Sequence, residues 1–268
     1  GAGWLVIDCS FDLADRGAGR RLYEAGHIPG ARHADLEEVL SGAKTGVNGR
    51  HPLPDRQAFV QAMRVFGADD HTQVVAYDNA GGMFAARLWW LLRWAGHRAA
   101  AVLDGGLAAW RAAGLDVETD PPAQPAPGRF SAREPLVRTV AYNALRAGLD
   151  SGDHLVMDAR AADRFRGENE TLDPLGGHIP GARNRFFRDN LTEAATFRAP
   201  EELRRAFEAL ADGVPVRQWV NQCGSGVTAC HNLLAQAVAG LPGAALYPGS
   251  WSEWSAQAGA PVATGPRG

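Results

Sequence analysis

The 268-residue sequence has little that would tie it to a membrane, a nucleic acid or an oxidising compartment. No apolar run is long enough to span a bilayer. There is no basic excess: the formal net charge is −3, which argues against a general binder of nucleic acid or anionic lipid. Only three cysteines are present, Cys9, Cys223 and Cys230, and an odd number in a chain this long is not a disulfide framework. A reducing compartment, the cytoplasm, is expected. The chain opens on Gly1-Ala2-Gly3 without methionine, so the lack of a targeting segment excludes nothing. What remains is the composition of a globular protein, 46% hydrophobic and 21% charged, with length for two domains that each bury a core.

The sequence repeats itself once. Gly26-His27-Ile28-Pro29-Gly30-Ala31-Arg32 recurs as Gly177-His178-Ile179-Pro180-Gly181-Ala182-Arg183, an offset of 151 residues. Weaker matches keep the same order. Leu5-Val6-Ile7-Asp8 corresponds to Leu155-Val156-Met157-Asp158 at an offset of 150, and Gly105 and Trp110 correspond to Gly249 and Trp254 at 144. The proline-rich run over 121–128 reads as an extended linker, because proline stiffens the chain and removes backbone donors. Domains are therefore expected over 1–120 and 129–268.

Each half alternates strand and helix signals. Leu5 to Ile7 and Gln73 to Tyr77 read as strands. Phe59, Met63 and Phe66 mark one helix face that Gly67 can end, and Phe84, Leu88, Leu91 and Ala95 mark another. In the second half Val156 reads as strand, Leu203, Phe207 and Leu210 as helix, Val216 to Asn221 as strand, and a helix starts near Val227. Strand–helix alternation predicts an α/β fold, with a mainly parallel sheet covered by helices in each half. Ligands in such sheets sit beyond the carboxyl ends of the strands. The eight tryptophans, Trp89-Trp90 included, fall in apolar helical pattern and are expected in the core.

The loop after the strand predicted at 216–221 reads Gln222-Cys223-Gly224-Ser225-Gly226-Val227-Thr228. A cysteine leaving a strand, two glycines and an immediate helix start can curl backbone N–H groups inward around the sulfur. Such donors favour thiolate, the form that attacks. Packing alone gives no reason for glycines on both sides of Ser225, whereas Cys9 and Cys230 sit in no such turn and are expected to be structural. No second cysteine or histidine stands near Cys223 at zinc-site spacing, so no metal is expected, and no cofactor.

This loop resembles the active-site loop of the rhodanese superfamily, in the form typical of 3-mercaptopyruvate sulfurtransferases. The resemblance extends over nearly the whole chain through the two His-Ile-Pro-Gly-Ala segments, Asp104-Gly105-Gly106, and Gly249-Ser250-Trp251-Ser252-Glu253-Trp254. It implies tandem rhodanese-like domains with the catalytic loop in the second. The first is degenerate, since Asp78 falls where Cys223 does. It implies that Cys223 takes sulfur from a donor as a persulfide and passes it to an acceptor thiol or cyanide, with thioredoxin, a small thiol and cyanide all open. The N–H groups of Gly224, Gly226, Val227 and Thr228 would stabilise both anionic forms. Ser225 is either a proton donor to the leaving group or a turn serine.

Arg164 matches the family's substrate-binding arginine, the alternative being a surface pair with Asp163 or Glu168. The animal members' second arginine has no counterpart in Gly167–Pro174, leaving Arg166 or Arg183 as substitutes. His27 matches a histidine that some members pair with the loop serine, with an acid such as Asp15 upstream. Its occurrence in a motif used twice also fits a turn that both domains need. The neutral Gly224 and Ser225 favour singly charged mercaptopyruvate over thiosulfate as donor. A phosphatase would need an arginine inside the loop, and an interaction module would have no use for the cysteine. A monomer is the default.

Overall fold

The computed structural model describes residues 3–266. The chain forms two compact units. One comprises Gly1–Gly42, Leu53–Leu136 and Glu193–Thr196, the other Ala43–Pro52, Val137–Thr192 and Phe197–Gly268. The proline-rich run over 121–128 therefore lies inside the first unit, which continues to Leu136. The units follow the two repeats except for two segments, 43–52 and 193–196, each of which groups with the other repeat's unit.

The first unit contains β1 (Trp4–Asp8), α1 (Ala18–Ala25), β2 (Arg32–His33), α2 (Arg56–Val65), β3 (Gln73–Tyr77), α3 (Ala85–Trp94), β4 (Ala100–Val102) and α4 (Gly106–Ala112). Its four strands are all parallel, in the order β2-β1-β3-β4. The expected helix face holds: Phe59 and Met63 of α2 are buried, and Asp55 caps the helix by accepting the N–H groups of Gln57 and Ala58. Gly67 follows at φ +86°, a left-handed conformation suited to glycine at a helix end. Nearly all of α3 is buried, Trp89 and Trp90 included, as the unbroken apolar run Leu88–Leu92 demands.

The second unit contains β5 (Arg138–Thr139), α5 (Tyr142–Ser151), β6 (Leu155–Asp158), α6 (Ala162–Arg166), β7 (Arg183–Asn184), α7 (Pro200–Ala211), β8 (Trp219–Gln222), α8 (Thr228–Val238), β9 (Ala245–Leu246) and α9 (Ser250–Trp254). Five parallel strands run in the order β5-β9-β8-β6-β7, so β8 and β6 are interior strands, buried along their whole length. The strand expected over 216–221 begins only at Trp219. Val216–Gln218 is a turn of 3-10 helix after Pro215, and the strand extends one residue further, to Gln222. Val156, Phe165, Val220, Tyr247, Trp251 and Trp254 are packed into one core cluster under this sheet. Among the described residues no helix is long and apolar enough to cross a membrane.

The twice-used His-Ile-Pro-Gly segment does the same work in each unit. His27 Nδ1 lies 2.8 Å from the Tyr23 carbonyl and its ring stacks on Tyr23 at 3.9 Å. His178 Nδ1 lies 2.7 Å from the Phe165 carbonyl and stacks on Phe165 at 3.7 Å. The backbone of each pairs with a late residue of its own unit, Glu118 or Ala263. Both histidines are fully buried. A buried imidazole with its Nδ1 bonded to a carbonyl suits a turn that closes the unit.

Candidate active site

Cys223 is the first residue beyond strand β8 and is buried, at 2% exposure. Its Sγ accepts the Gly226 N–H at 3.1 Å. That contact needs the loop to double back, and Gly226 does so at φ +81°. A Cβ there would lie 2.4 Å from the Pro248 carbonyl oxygen, so only glycine fits. The first turn of α9 braces the loop from the other side. The Cys223 carbonyl accepts from Trp251 N at 2.9 Å and the Gly224 carbonyl from Ser252 N at 2.9 Å. Ser250, itself at φ +54°, accepts the Cys223 N–H and donates to the Tyr247 carbonyl. The repeated Gly249–Trp254 motif is thus the scaffold of the cysteine loop. Val227 is buried and precedes α8, which Thr228 opens.

Ser225 is buried, and its Oγ lies 2.8 Å from His51 Nδ1. The histidine that reaches the loop serine is therefore His51, carried by the 43–52 segment of the second unit, in place of His27. Asp15, the acid expected to support His27, holds the Gly17 N–H and an exposed ion pair with Arg21. Arg50, next to His51, is the other residue this segment brings. Its backbone N–H donates to Ser252 Oγ at 3.0 Å, and its guanidinium pairs with Asp173. Its Nη2 lies 2.8 Å from the point where a Cβ on Gly224 would stand, and Arg164 Nη1 and Nη2 lie 3.5 and 3.6 Å from that point. A side chain at position 224 would crowd the Arg50 guanidinium and meet that of Arg164 at contact distance.

Arg164 is held from behind by a fork of bonds to Glu170, Nη2 to both carboxylate oxygens at 2.8 Å and Nε at 3.2 Å. Its partner is Glu170 rather than Asp163 or Glu168. Of the two expected substitutes for a second arginine, Arg166 pairs with Glu168 and Arg183 donates to the Leu210 carbonyl. A third guanidinium lies deeper. Arg160, at 1% side-chain exposure, pairs with Asp158 at 2.7 Å, approaches Glu170 at 3.5 Å and stacks 4.6 Å from the Trp251 ring centroid.

Burial works against the Arg160 charge, but Asp158, Glu170 and Cys223 outweigh it and hold its pKa above the ordinary value. Burial likewise pushes Glu170 up, yet the Leu172 N–H, Arg164 and Arg160 bring its pKa below the usual carboxylate range. Asp173 goes the other way: burial, with Glu170 adding to it, raises its pKa against the pull of Arg50, Arg164 and Arg160.

Of the other two cysteines, Cys230 helps to hold the loop and Cys9 belongs to the first unit. Cys230 is buried with its Sγ on the Gly226 carbonyl, and the Cys9 thiol is pushed up by burial, Asp78 and Asp8. In the first unit the corresponding loop is filled by its own carboxylate. Asp78 accepts the N–H groups of Ala80 and Gly82 on one oxygen and of Phe84 and Ala85 on the other, at 2.7–2.9 Å.

Residues 1–113 and 141–257 match the rhodanese-like domain family. A probable 3-mercaptopyruvate sulfurtransferase of Pseudomonas aeruginosa is 49% identical over 263 residues, covering 97% of this chain and 92% of that protein. The thiosulfate sulfurtransferase of Bos taurus is 36% identical over 261 residues, covering 95% and 86%. The structure of the 3-mercaptopyruvate sulfurtransferase of Leishmania major superposes with a TM-score of 0.81 at 30% identity, covering 94% of this chain and 70% of that one. With a family match in each repeat and relatives alike over almost its full length, this chain belongs to the rhodanese family and carries two rhodanese-like domains.

Proposed function

We propose that the protein is a sulfurtransferase that moves sulfur from 3-mercaptopyruvate through a persulfide on Cys223 to an acceptor thiol or cyanide. The observation that carries this reading is Cys223 Sγ accepting a backbone N–H inside a glycine-shaped loop, beside two guanidinium groups. In the first step the Cys223 thiolate attacks the donor sulfur. The S–S bond forms as the S–C bond breaks, and the electron pair leaves on carbon as the pyruvate enolate. That carbon needs a proton, and Ser225 with His51 behind it is placed to deliver one. With Nδ1 protonated, His51 donates to Oγ and the hydroxyl proton is free to pass to the enolate. In the second step an acceptor thiolate takes the outer sulfur and Cys223 leaves again as thiolate. A small thiol, the dithiol of thioredoxin and cyanide all satisfy this chemistry. Three buried free thiols suit a reducing compartment such as the cytoplasm.

Mercaptopyruvate fits the charge of the site better than thiosulfate. Arg50, Arg160 and Arg164 are matched one for one by Asp158, Glu170 and Asp173, which leaves little surplus for a dianion. The test is steady-state sulfur transfer to cyanide from each donor, alongside Cys223→Ser. A higher kcat/KM with mercaptopyruvate, abolished by the substitution, is expected. A preference for thiosulfate would keep the persulfide and overturn the charge argument. No transfer from either donor, in folded and reduced protein, would end the assignment.

A further inference from the structure

We infer that Asp173 is a specificity-determining residue: its negative charge, set against Arg50, suits the site to a donor with one charge and disfavours a donor with two. The inference deepens the sulfurtransferase reading and rests on it for the identity of the donors.

Three buried carboxylates lie against the arginines of the site, and two of them also hold the backbone. Asp158 accepts the Arg160 N–H as well as its guanidinium. Glu170 Oε1 accepts the N–H groups of Leu172 and Asp173 at 2.9 and 3.1 Å, while both its oxygens meet Arg164. Among the described residues the Asp173 side chain has no backbone partner. Its Oδ1 meets Arg50 Nη1, and its Oδ2 accepts no hydrogen bond, with Arg164 Nη2 at 3.5 Å. At 3% exposure this is a costly place for a carboxylate oxygen. The side chain closes no turn and caps no helix, so what it contributes is its charge.

A donor feels that charge in proportion to its own. With Asp173 ionised, Arg50, Arg160 and Arg164 are balanced by three acids, and a second negative charge on the donor meets no surplus. With Asp173 neutral, one positive charge is uncovered where burial weakens screening. A dianion then gains about twice what a monoanion of the same size gains. Mercaptopyruvate carries one charge and thiosulfate two. Thiolate attack on the outer sulfur of thiosulfate breaks its S–S bond, and sulfite leaves with the electron pair. Both donors thus yield the same persulfide on Cys223, through different leaving groups, and binding has to be read apart from turnover.

The test is Asp173→Asn, which keeps the shape and an oxygen for Arg50 and removes the charge. The Arg50 side chain is 30% exposed, so water can solvate it and the substitution strands no buried cation. The thiosulfate-to-mercaptopyruvate ratio of kcat/KM, in transfer to cyanide, is expected to rise about tenfold or more. A second readout needs no sulfur transfer: protection of Cys223 from iodoacetamide, followed by mass on its peptide. The protecting anions are sulfate and methanesulfonate, both tetrahedral, with two charges and one. Sulfate protection should tighten about tenfold more than methanesulfonate protection. Asp173→Ser, a second neutral variant, should shift both ratios the same way, and Asp173→Glu, which restores the charge, should return them toward wild type. Glu168→Gln neutralises an exposed acid of the same loop and should move neither. An unchanged sulfate-to-methanesulfonate ratio in folded Asp173→Asn or Asp173→Ser, or an equal shift in Glu168→Gln, overturns the inference. If wild type transfers no sulfur from either donor while sulfate still gains over methanesulfonate in Asp173→Asn, the charge selection stands and the sulfurtransferase reading fails.

Discussion

Replacing Arg164 by methionine separates what this arginine does for the fold from what it does for the donor. The side chain is 22% exposed and Glu170 only 3%, so the substitution leaves a buried carboxylate without its main partner. Removing one member of a buried pair costs about 3–5 kcal/mol. Glu170 keeps the Leu172 and Asp173 N–H groups at 2.9 and 3.1 Å and the more distant Arg160 at 3.5 Å. That remaining support argues for a loss at or below the bottom of this range, about 2–3 kcal/mol, or a drop of roughly 4–12 °C in Tm by calorimetry. The same substitution should raise the mercaptopyruvate KM about 10–100-fold. Combining Arg164→Met with Glu170→Gln removes the stranded charge, while the amide oxygen introduced there can still accept both N–H groups. The double variant should regain at least half the lost stability, since contacting residues couple by roughly 0.5–3 kcal/mol. Its KM should stay as poor as that of the single variant. Wild-type stability in Arg164→Met would refute the buried-pair argument, and recovery of KM in the double variant would refute donor binding by Arg164.

Other substitutions read the remaining parts of the site. Gly226→Ala forces an alanine to φ +81° with its Cβ against the Pro248 carbonyl, so it should lose about 1–2 kcal/mol from the backbone alone and most sulfur transfer, measured by unfolding and the cyanide assay. Ser225→Ala and His51→Gln should each slow donor cleavage by roughly 10²–10⁴ in single turnover. The double variant should be no slower than the worse single one if the pair acts as a unit, and additive losses would argue against a relay. Glu170, with its folded pKa depressed by the Leu172 N–H, Arg164 and Arg160, contributes stability that is present above its unfolded value of about 4.3 and is lost as pH falls through the folded value. Glu170→Gln should flatten that acid limb in denaturation curves taken from neutral pH downward, and an unchanged limb would show that the ion pairs do not stabilise the fold.

The parts of the site that sequence could reveal are those written in contiguous residues. Cys223 to Thr228 occupy one strand–loop–helix step, so chain order alone places the sulfur near Gly226 N–H and α8. The α/β alternation and the buried faces of α2 and α7 follow from local periodicity in the same way. Arg50 and His51 carry no such signal. His51 stands 174 residues before the serine it reaches, in a segment whose own neighbours in the sequence belong to the first repeat. Nothing local distinguishes Arg50-His51-Pro52 from an ordinary polar loop, and the arginine that accompanies Arg164 lies across the fold rather than near it along the chain. The motif around His27 is conspicuous in sequence because it recurs, yet recurrence is what a shared structural turn produces. The late start of β8 has a local cause: Pro215 lacks an N–H and favours a turn over an early strand start.

The two repeats show how one loop architecture accommodates two different anions. In the first unit the inward N–H groups after β3 close on the Asp78 carboxylate, which takes four of them. The four bonds make the carboxylate the filling of the cradle, and burial raises its pKa despite them. In the second unit the same step after β8 presents a sulfur that accepts the Gly226 N–H, and the basic groups stand outside the loop on Arg50 and Arg164. A loop closed on its own carboxylate is structural, and a loop closed on a sulfur with paired cations at its rim has capacity for an incoming anion. The duplication therefore contains its own control. The same fold and the same turn are present twice, and the copy with a sulfur in place of a carboxylate is the one that has gathered Arg50, Arg164 and His51 around its mouth.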